Sequence, residues 1–403
     1  MQRGHLVLML RRLMNSSLDL IRTPWQRPEV LLITGNASQE KVSEIERRLH
    51  FLFDHVGRTL KVKHAHSFSL IDCLRHSAVA TADAAAIPVF ILDRVRLNWV
   101  ANLDYDKYPF DAYQLIELGN VLTNRPTSET LELSYRRFNR RIQEMKSLGP
   151  RPAYLFGTGP SLDRAADRSF SDGYTVVCNT IVRDPELWAH LNPDFLVAGD
   201  AMYHFGHTQH AQQFRADALQ RLLESKGSTL FVYPAQFDII VRSEFQAVEA
   251  SLVPIPWVHH EVPFADLTCV FELPASLANV LTVLLLPVGC TLSKDIRLWG
   301  FDGRSPVDFG FWKNSSGQSY TKLMPELRDA HPAFFEFAIP AGREQQYVET
   351  VHGQSLDDRL SEAEARGFRF WMLHPSSTPT FQKRFSEHEA PAVGLFPAAT
   401  PDN

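Results

Sequence analysis

The chain is poor in cysteine: Cys73, Cys178, Cys269 and Cys290 are widely separated among 403 residues and form no CxxC pair. A dense disulfide framework is excluded, and a reducing, cytoplasmic compartment is the simplest expectation. Long hydrophobic runs are also lacking. Leu6–Leu10 is broken by Arg11 and Arg12, and no stretch approaches the roughly 18–20 uncharged residues needed to span a bilayer. There is no excess of positive charge, the formal net charge being −5, so nucleic acid is not an expected partner. Gly-x-Ser-x-Gly is absent, which removes the simplest hydrolase, and His259-His260-Glu261 is not the HExxH of a zincin. What is present, 44% hydrophobic and 22% charged residues, describes a globular chain long enough for two domains.

Residues 1–125 read as a small β/α accessory domain. Glu29–Thr34 is a short aliphatic strand, followed by a helical period at Gln39–Phe53, a strand at Thr59–His64, a helix near Leu70–His76 and a strand at Ile87–Leu92. Before them, residues 5–22 (HLVLMLRRLMNSSLDLIR) have the pattern of a basic amphipathic helix. It either lies at a membrane surface, as a peripheral contact at the inner membrane, or docks on its own domain. Helices are expected at Pro109–Leu122 and Thr127–Met145, with residues 126–150 as a helical connector closed by Gly149-Pro150. From Arg151 to residue 385 strands and helices alternate, which predicts a mostly parallel sheet flanked by helices. Strands are expected at 153–157, 174–178, 194–199, 229–233, 295–298 and 368–372, and helices near 184–190, 204–225, 276–287 and 355–366. Residues 386–403, rich in proline, are expected to be a mobile tail.

The most informative segment is Arg151–Asp163, RPAYLFGTGPSLD. A buried strand breaks at Gly157-Thr158-Gly159, and Pro160 and Ser161 open a helical turn. Glycines there allow close approach by a ligand, and a helix start favours an anion. Leu162 stands where a dinucleotide fingerprint has its third glycine, and the next strand ends in Asn179 rather than an acid, so ordinary NAD binding is disfavoured. The turn taken alone reads either as a nucleotide site or as a structural strand–helix connection.

Four spaced motifs, GTGPSLD, the strand ending in Cys178-Asn179, PDFLVAGD at Pro193–Asp200 and DIRLWGFDG at Asp295–Gly303, resemble a known group. It comprises the bacterial sialyltransferases of glycosyltransferase family 42 and the related motility-associated flagellin glycosyltransferase and MptE-like domains, and the resemblance covers about Pro152–Pro375. It implies an α/β fold, a mostly parallel Rossmann-like sheet flanked by helices of the sialyltransferase-like, GT-A-variant kind, beside the smaller N-terminal β/α domain. It also implies a donor site for a cytidine monophosphate (CMP) sugar at Gly157, Thr158, Gly159, Pro160, Ser161 and Asn179, with Asp200, Ser276 and Asp302. Asp200 replaces an asparagine of the family. The segment Asn314–Tyr320 resembles the family's lid, with Tyr320 similar to a tyrosine that binds the leaving phosphate. His352, five residues before Asp357, resembles the general base. A second phosphate-binding tyrosine is missing, its place falling near Arg304, and an arginine ahead of the buried helix has no counterpart.

The resemblance thus implies an inverting, metal-independent glycosyltransferase. It would move an acidic sugar, a sialic-acid-like nonulosonate or Kdo, from its CMP form to a glycan hydroxyl in bacterial surface polysaccharide synthesis. His352 would take the acceptor's proton, while Tyr320, Ser276 and Arg304 stabilise charge on the departing phosphate. No cofactor is needed beyond the CMP-sugar cosubstrate. Partners are that donor and a glycan acceptor, with a homo-oligomer also compatible. Two other classes remain open: an MptE-like 6-hydroxymethyl-dihydropterin diphosphokinase needing ATP and magnesium, with Asp200 and Asp302 as its acids, and a noncatalytic nucleotide-binding scaffold. Competing patterns read as bland. Asp104-Tyr105-Asp106 is expected to be a solvated turn rather than a metal-binding Asp-x-Asp, and His204, His207 and His210 a helical surface rather than a zinc site.

Overall fold

A computed structural model describes residues 29–55, 57, 59–69, 76–88, 99–258, 262, 266–274, 279–303, 316–338 and 353–386. Two parallel sheets dominate. The small one is built from β1 (Glu29–Ile33), β2 (Lys61–Ala65), β3 (Ala78–Thr81) and β4 (Val100–Asn102), in the order β2-β1-β3-β4. Val30, Leu31, Leu32 and Ile33 are all buried, as expected of a central strand covered on both faces. Helix α1 (Gln39–Asp54) starts at Ser38, whose hydroxyl accepts the Lys41 amide, and buries Val42, Ile45, Leu49, Leu52 and Phe53 along one stripe. The strand expected at Ile87–Leu92 is not the third strand of this sheet. Residues 84–86 form a 3₁₀ turn, residues 89–98 lie outside the described residues, and the small side chains of Ala78–Thr81 make the strand instead.

Helix α2 (Asp111–Thr123) and helix α3 (Ser128–Lys146) follow. The latter, expected as a connector, lies on the large sheet. It buries Phe138, Ile142 and Met145, packs Phe138 against Phe195 with ring centroids 5.9 Å apart, and donates the Ser134 hydroxyl to the Pro254 carbonyl at 2.7 Å.

The large sheet contains β5 (Ala153–Phe156), β6 (Tyr174–Cys178), β7 (Phe195–Val197), β8 (Leu230–Pro234) and β9 (Leu252–Ile255). After a two-stranded extension, β10 (Trp257–Val258) with β11 (Leu273–Pro274), it is completed by β12 (Asp295–Trp299) and β13 (Arg369–Met372). Its order is β13-β12-β5-β6-β7-β8-β9, every neighbour parallel. The chain walks outward from β5 to β9, then returns to the other side of β5. The direction therefore reverses between β5 and β12, the place where open α/β sheets leave a crevice at their carboxyl ends. Helices α4 (Pro185–Leu191), α5 (Gln209–Glu224), α6 (Asp238–Glu244), α7 (Leu286–Leu292), α8 (Met324–Ala330) and α9 (Ser355–Ala365) complete this part. The α/β, parallel, helix-flanked class expected from the sequence is what is observed. No described helix is long and apolar enough to cross a membrane, and the amphipathic segment 5–22 and the tail beyond 386 lie outside the described residues.

The two sheets are fastened by buried polar contacts. Tyr113 on α2 donates its hydroxyl to Asp200 at 3.1 Å, and Asn120 donates to the Gln236 carbonyl at 2.8 Å. Arg48 of α1 bonds Asp111 at 2.9 Å and the Ala330 carbonyl at 2.7 Å, while His331 lies 3.1 Å from Asp111. His207 faces Glu44 across the junction at 3.5 Å.

Candidate nucleotide site at the carboxyl edge of the large sheet

At the end of β5 the Gly157 amide donates to the Trp299 carbonyl at 2.7 Å and the Gly159 amide to the Gly300 carbonyl at 2.9 Å. A Cβ on Gly157 would sit 2.6 Å from the Gly300 oxygen and 2.8 Å from the Phe301 ring. The glycines thus let two loops of the protein touch, and the close approach read from sequence as room for a ligand is taken by the 300–303 turn. Pro160 opens a 3₁₀ helix over Pro160–Asp167. Its first turn already holds a carboxylate. The Ser161 amide reaches the two oxygens of Asp302 at 3.1 and 3.2 Å, and the Ser161 hydroxyl lies 2.9 Å from Asp302 Oδ2. The Trp299 indole N–H closes the bracket by donating to the Ser161 carbonyl at 2.9 Å.

His374, which the sequence reading did not single out, completes this node. Only 2% exposed, it places Nε2 2.7 Å from Ser161 Oγ and 2.9 Å from the Gly300 amide, with Nδ1 2.8 Å from the Pro375 carbonyl. Burial holds its pKa below the usual histidine range, against the opposing pull of Asp302. The only advance signal was the HPSS after a predicted strand, which has no diagnostic spacing to the glycine turn.

One strand over, Asn179 sits directly after β6 with φ of +51°, the left-handed region that asparagine tolerates better than most residues. Its side-chain Oδ1 is buried and has no hydrogen-bond partner among the described residues. Because β5 and β6 pair Phe156 with Val177, Asn179 flanks the Gly157–Thr158 corner. Asp200, at the end of β7, is differently employed. Its Oδ1 accepts the Met202 and Tyr203 amides, each at 2.8 Å, and its Oδ2 takes the Tyr113 hydroxyl. Burial raises its pKa, the hydrogen bonds opposing. It caps a turn and joins the two sheets.

Ser316–Gln318 and Tyr320 rest beside the 3₁₀ turns that follow β5 and β6. Arg183 donates to the Gly317 carbonyl at 2.5 Å, and with Asp184, Pro185 and Glu186 the segment frames an open pocket of about 410 Å³. Tyr320 is 7% exposed. Its hydroxyl is 2.5 Å from Asp217 on α5, and burial, with that carboxylate, pushes its pKa far up. In this arrangement the hydroxyl is committed to Asp217 rather than offered to the glycine turn. Asp357 is held by Lys383 at 2.8 Å and Arg384 at 2.6 Å, which lower its pKa. Ser276, Arg304 and His352 lie outside the described residues.

Two bland expectations require correction. Asp104 is no solvated turn residue: it is fully buried, ion-paired with Lys41, and accepts the Ala84 amide at 3.0 Å. His204, His207 and His210 are not a helical surface, being 4%, 6% and 4% exposed. His204 and His207 bury because α5 begins only at Gln209 and the turn before it packs into the core, whereas His210 lies on the buried face of α5, its Nδ1 3.1 Å from the Tyr203 carbonyl. Burial depresses His204 to about 3 and His207 to about 4. Among the described residues no group of three or more His, Cys, Asp or Glu side chains is arranged to hold a metal ion.

No family model matches the chain, and neither a curated protein nor a solved structure matches it.

Proposed function

We propose that the carboxyl edge of β5 and β6 binds a CMP-activated acidic sugar and that the protein transfers this sugar, with inversion, to a glycan hydroxyl in surface polysaccharide assembly. The observation that carries the reading is Asn179. An amide oxygen buried without a donor costs about 1–3 kcal/mol, and this one sits beside a glycine turn at the sheet's reversal. A ligand group bearing N–H or O–H, as a cytosine amine or a ribose hydroxyl does, satisfies it without placing negative charge near a phosphate. The motif resemblance supplies the choice of cytidine and of sugar transfer.

In this reading His352 removes the proton of the acceptor hydroxyl as the sugar–phosphate bond breaks, and Ser276, Arg304 and Tyr320 receive the departing phosphate. Tyr320 must exchange Asp217 for that phosphate, a rearrangement of the 316–320 segment of the kind lids undergo.

The test is calorimetric titration with CMP, CDP, UDP, ATP and GTP, with and without magnesium, followed by a CMP-sugar donor screen with His352→Ala as control. Preferential CMP binding without magnesium, with turnover lost in the variant, is the expected result. Magnesium-dependent ATP binding would replace this reading with diphosphate transfer, and CMP binding without turnover of any donor would replace it with a scaffold.

A further inference from the structure

Away from the glycine turn, the seam between the two sheets holds a pair of histidines that each keep one ring nitrogen unmet. His207, in the turn before α5, and His331, directly after α8, are 6% and 0% exposed. Nε2 of each is buried with no hydrogen-bond partner among the described residues. The carboxylate that faces His207 Nε2, Glu44, stands at 3.5 Å, too far for a hydrogen bond. On His331 it is the other nitrogen, Nδ1, that is occupied, 3.1 Å from both oxygens of Asp111. The ring centres lie 5.7 Å apart. Both rings line one cavity of about 10 Å³, which Arg48 and Phe51 of α1 and Asp111 of α2 close from the side of the small sheet. Buried polar atoms are rarely left without a partner.

Volume and charge decide what that partner is. Roughly 10–15 Å³ is the room one water needs, and a single water reaches two groups at once with bonds of about 2.9 Å. A cation is disfavoured, because the Arg48 guanidinium lines the same cavity. The carboxylates beside it are also already employed, Glu44 by Arg47 and Arg48 and Asp111 by Arg48 and His331. Water carries no charge, accepts from a nitrogen that bears a proton and donates to one that does not, so it suits either tautomer of each ring.

We propose that this cavity is a binding site for one internal water, which bridges Nε2 of His207 to Nε2 of His331. The chain from His207 through the water and His331 to Asp111 then runs from the turn before α5 into α2, and ties the large sheet to the small one through solvent. The inference is independent of the nucleotide reading.

The experiment is a crystal structure of the full chain at a resolution that shows ordered water, with a second crystal soaked in zinc. One peak within about 2.7–3.2 Å of both Nε2 atoms is expected, with no anomalous signal there after the soak. No peak, or a peak bonded to only one ring, overturns the bridge, and an anomalous peak between the rings replaces the water with a cation. This measurement needs no variant to fold. In solution, oxygen-17 relaxation counts the long-lived internal waters, and His331→Phe, an apolar ring with no nitrogen to offer, is expected to lower that count by about one. An unchanged count in the folded variant overturns the proposal.

Discussion

The small and large sheets each start with a strand that runs into a glycine turn, and each turn is closed by an aspartate from the loop of a neighbouring strand. After β1, Gly35 has φ of +51°, the Asn36 amide donates to Asp83 Oδ2 at 3.0 Å, and Asp83 Oδ1 accepts the Ala85 amide at 3.1 Å. After β5, Asp302 does the same for Ser161. The small turn is finished: Asp83 is held by backbone donors, its pKa lowered chiefly by the Asn36 amide, and Asp104 beside it has Lys41. The large turn is unfinished, with a hydroxyl facing two acceptors and the amide oxygen of Asn179 unanswered. A glycine turn alone therefore does not mark a ligand site: the two turns share their backbone closure and differ in the polar groups left unmet around them.

The sharpest way to break the comparison is to unbalance the finished turn. Lys41→Ala strands the fully buried Asp104, and a loss of about 3–5 kcal/mol in urea unfolding is expected. Next come the turns themselves. Gly157→Ala drives a methyl against backbone at 2.6 Å and is expected to cost about 3 kcal/mol. Gly35→Ala combines a strained φ with a methyl 2.8 Å from the Cβ atoms of Asp83 and Ala86 and is expected to cost about 2 kcal/mol. Equal losses would show that the large turn is as adaptable as the small one.

Whether the two sheets unfold together is read by pH. His207 has a folded pKa of about 4 against an ordinary 6.5, so between those values the unfolded chain binds the extra proton. Its share of stability is complete above about pH 6.5 and is lost as pH falls toward 4, amounting to about 3 kcal/mol. Urea midpoints measured across that window should fall with acid, and His207→Gln should reduce the slope by about one proton. The smallest effect on stability belongs to Asn179→Ala, where relief of the unanswered oxygen (about 1–3 kcal/mol) offsets the cost of alanine at positive φ (about 1–3 kcal/mol), while CMP affinity falls about tenfold. A drop in stability with no change in CMP affinity would make Asn179 a turn residue like Asn36.

The alternation from Arg151 onward was legible because fully buried parallel strands read as short aliphatic runs, as at Tyr174–Cys178, and α3 before it was legible because it has a clear apolar stripe. Strand β9 escaped notice because Pro254 interrupts it, and β3 because Ala-Val-Ala-Thr has little bulk. At the site, the glycine turn and Asn179 stood out in sequence, but their environment did not. His374 and Asp302 act on Ser161 through spatial contacts that no local pattern encodes, and the burial of His207 depends on a helix starting later than its period suggests.

The position of β5 between β6 and β12 has a consequence for synthesis. Ser161 is separated from Asp302 by 141 residues and from His374 by 213. At ribosomal rates of about 5–20 residues per second, the glycine turn precedes its closing partners by on the order of ten to forty seconds. Strands β5–β9 and helix α3 can associate in that interval, but one edge of β5 stays unpaired until β12 emerges. Until then the strand that carries the glycine turn presents an open sheet edge, the surface most prone to join another chain, and β12 is the strand that covers it.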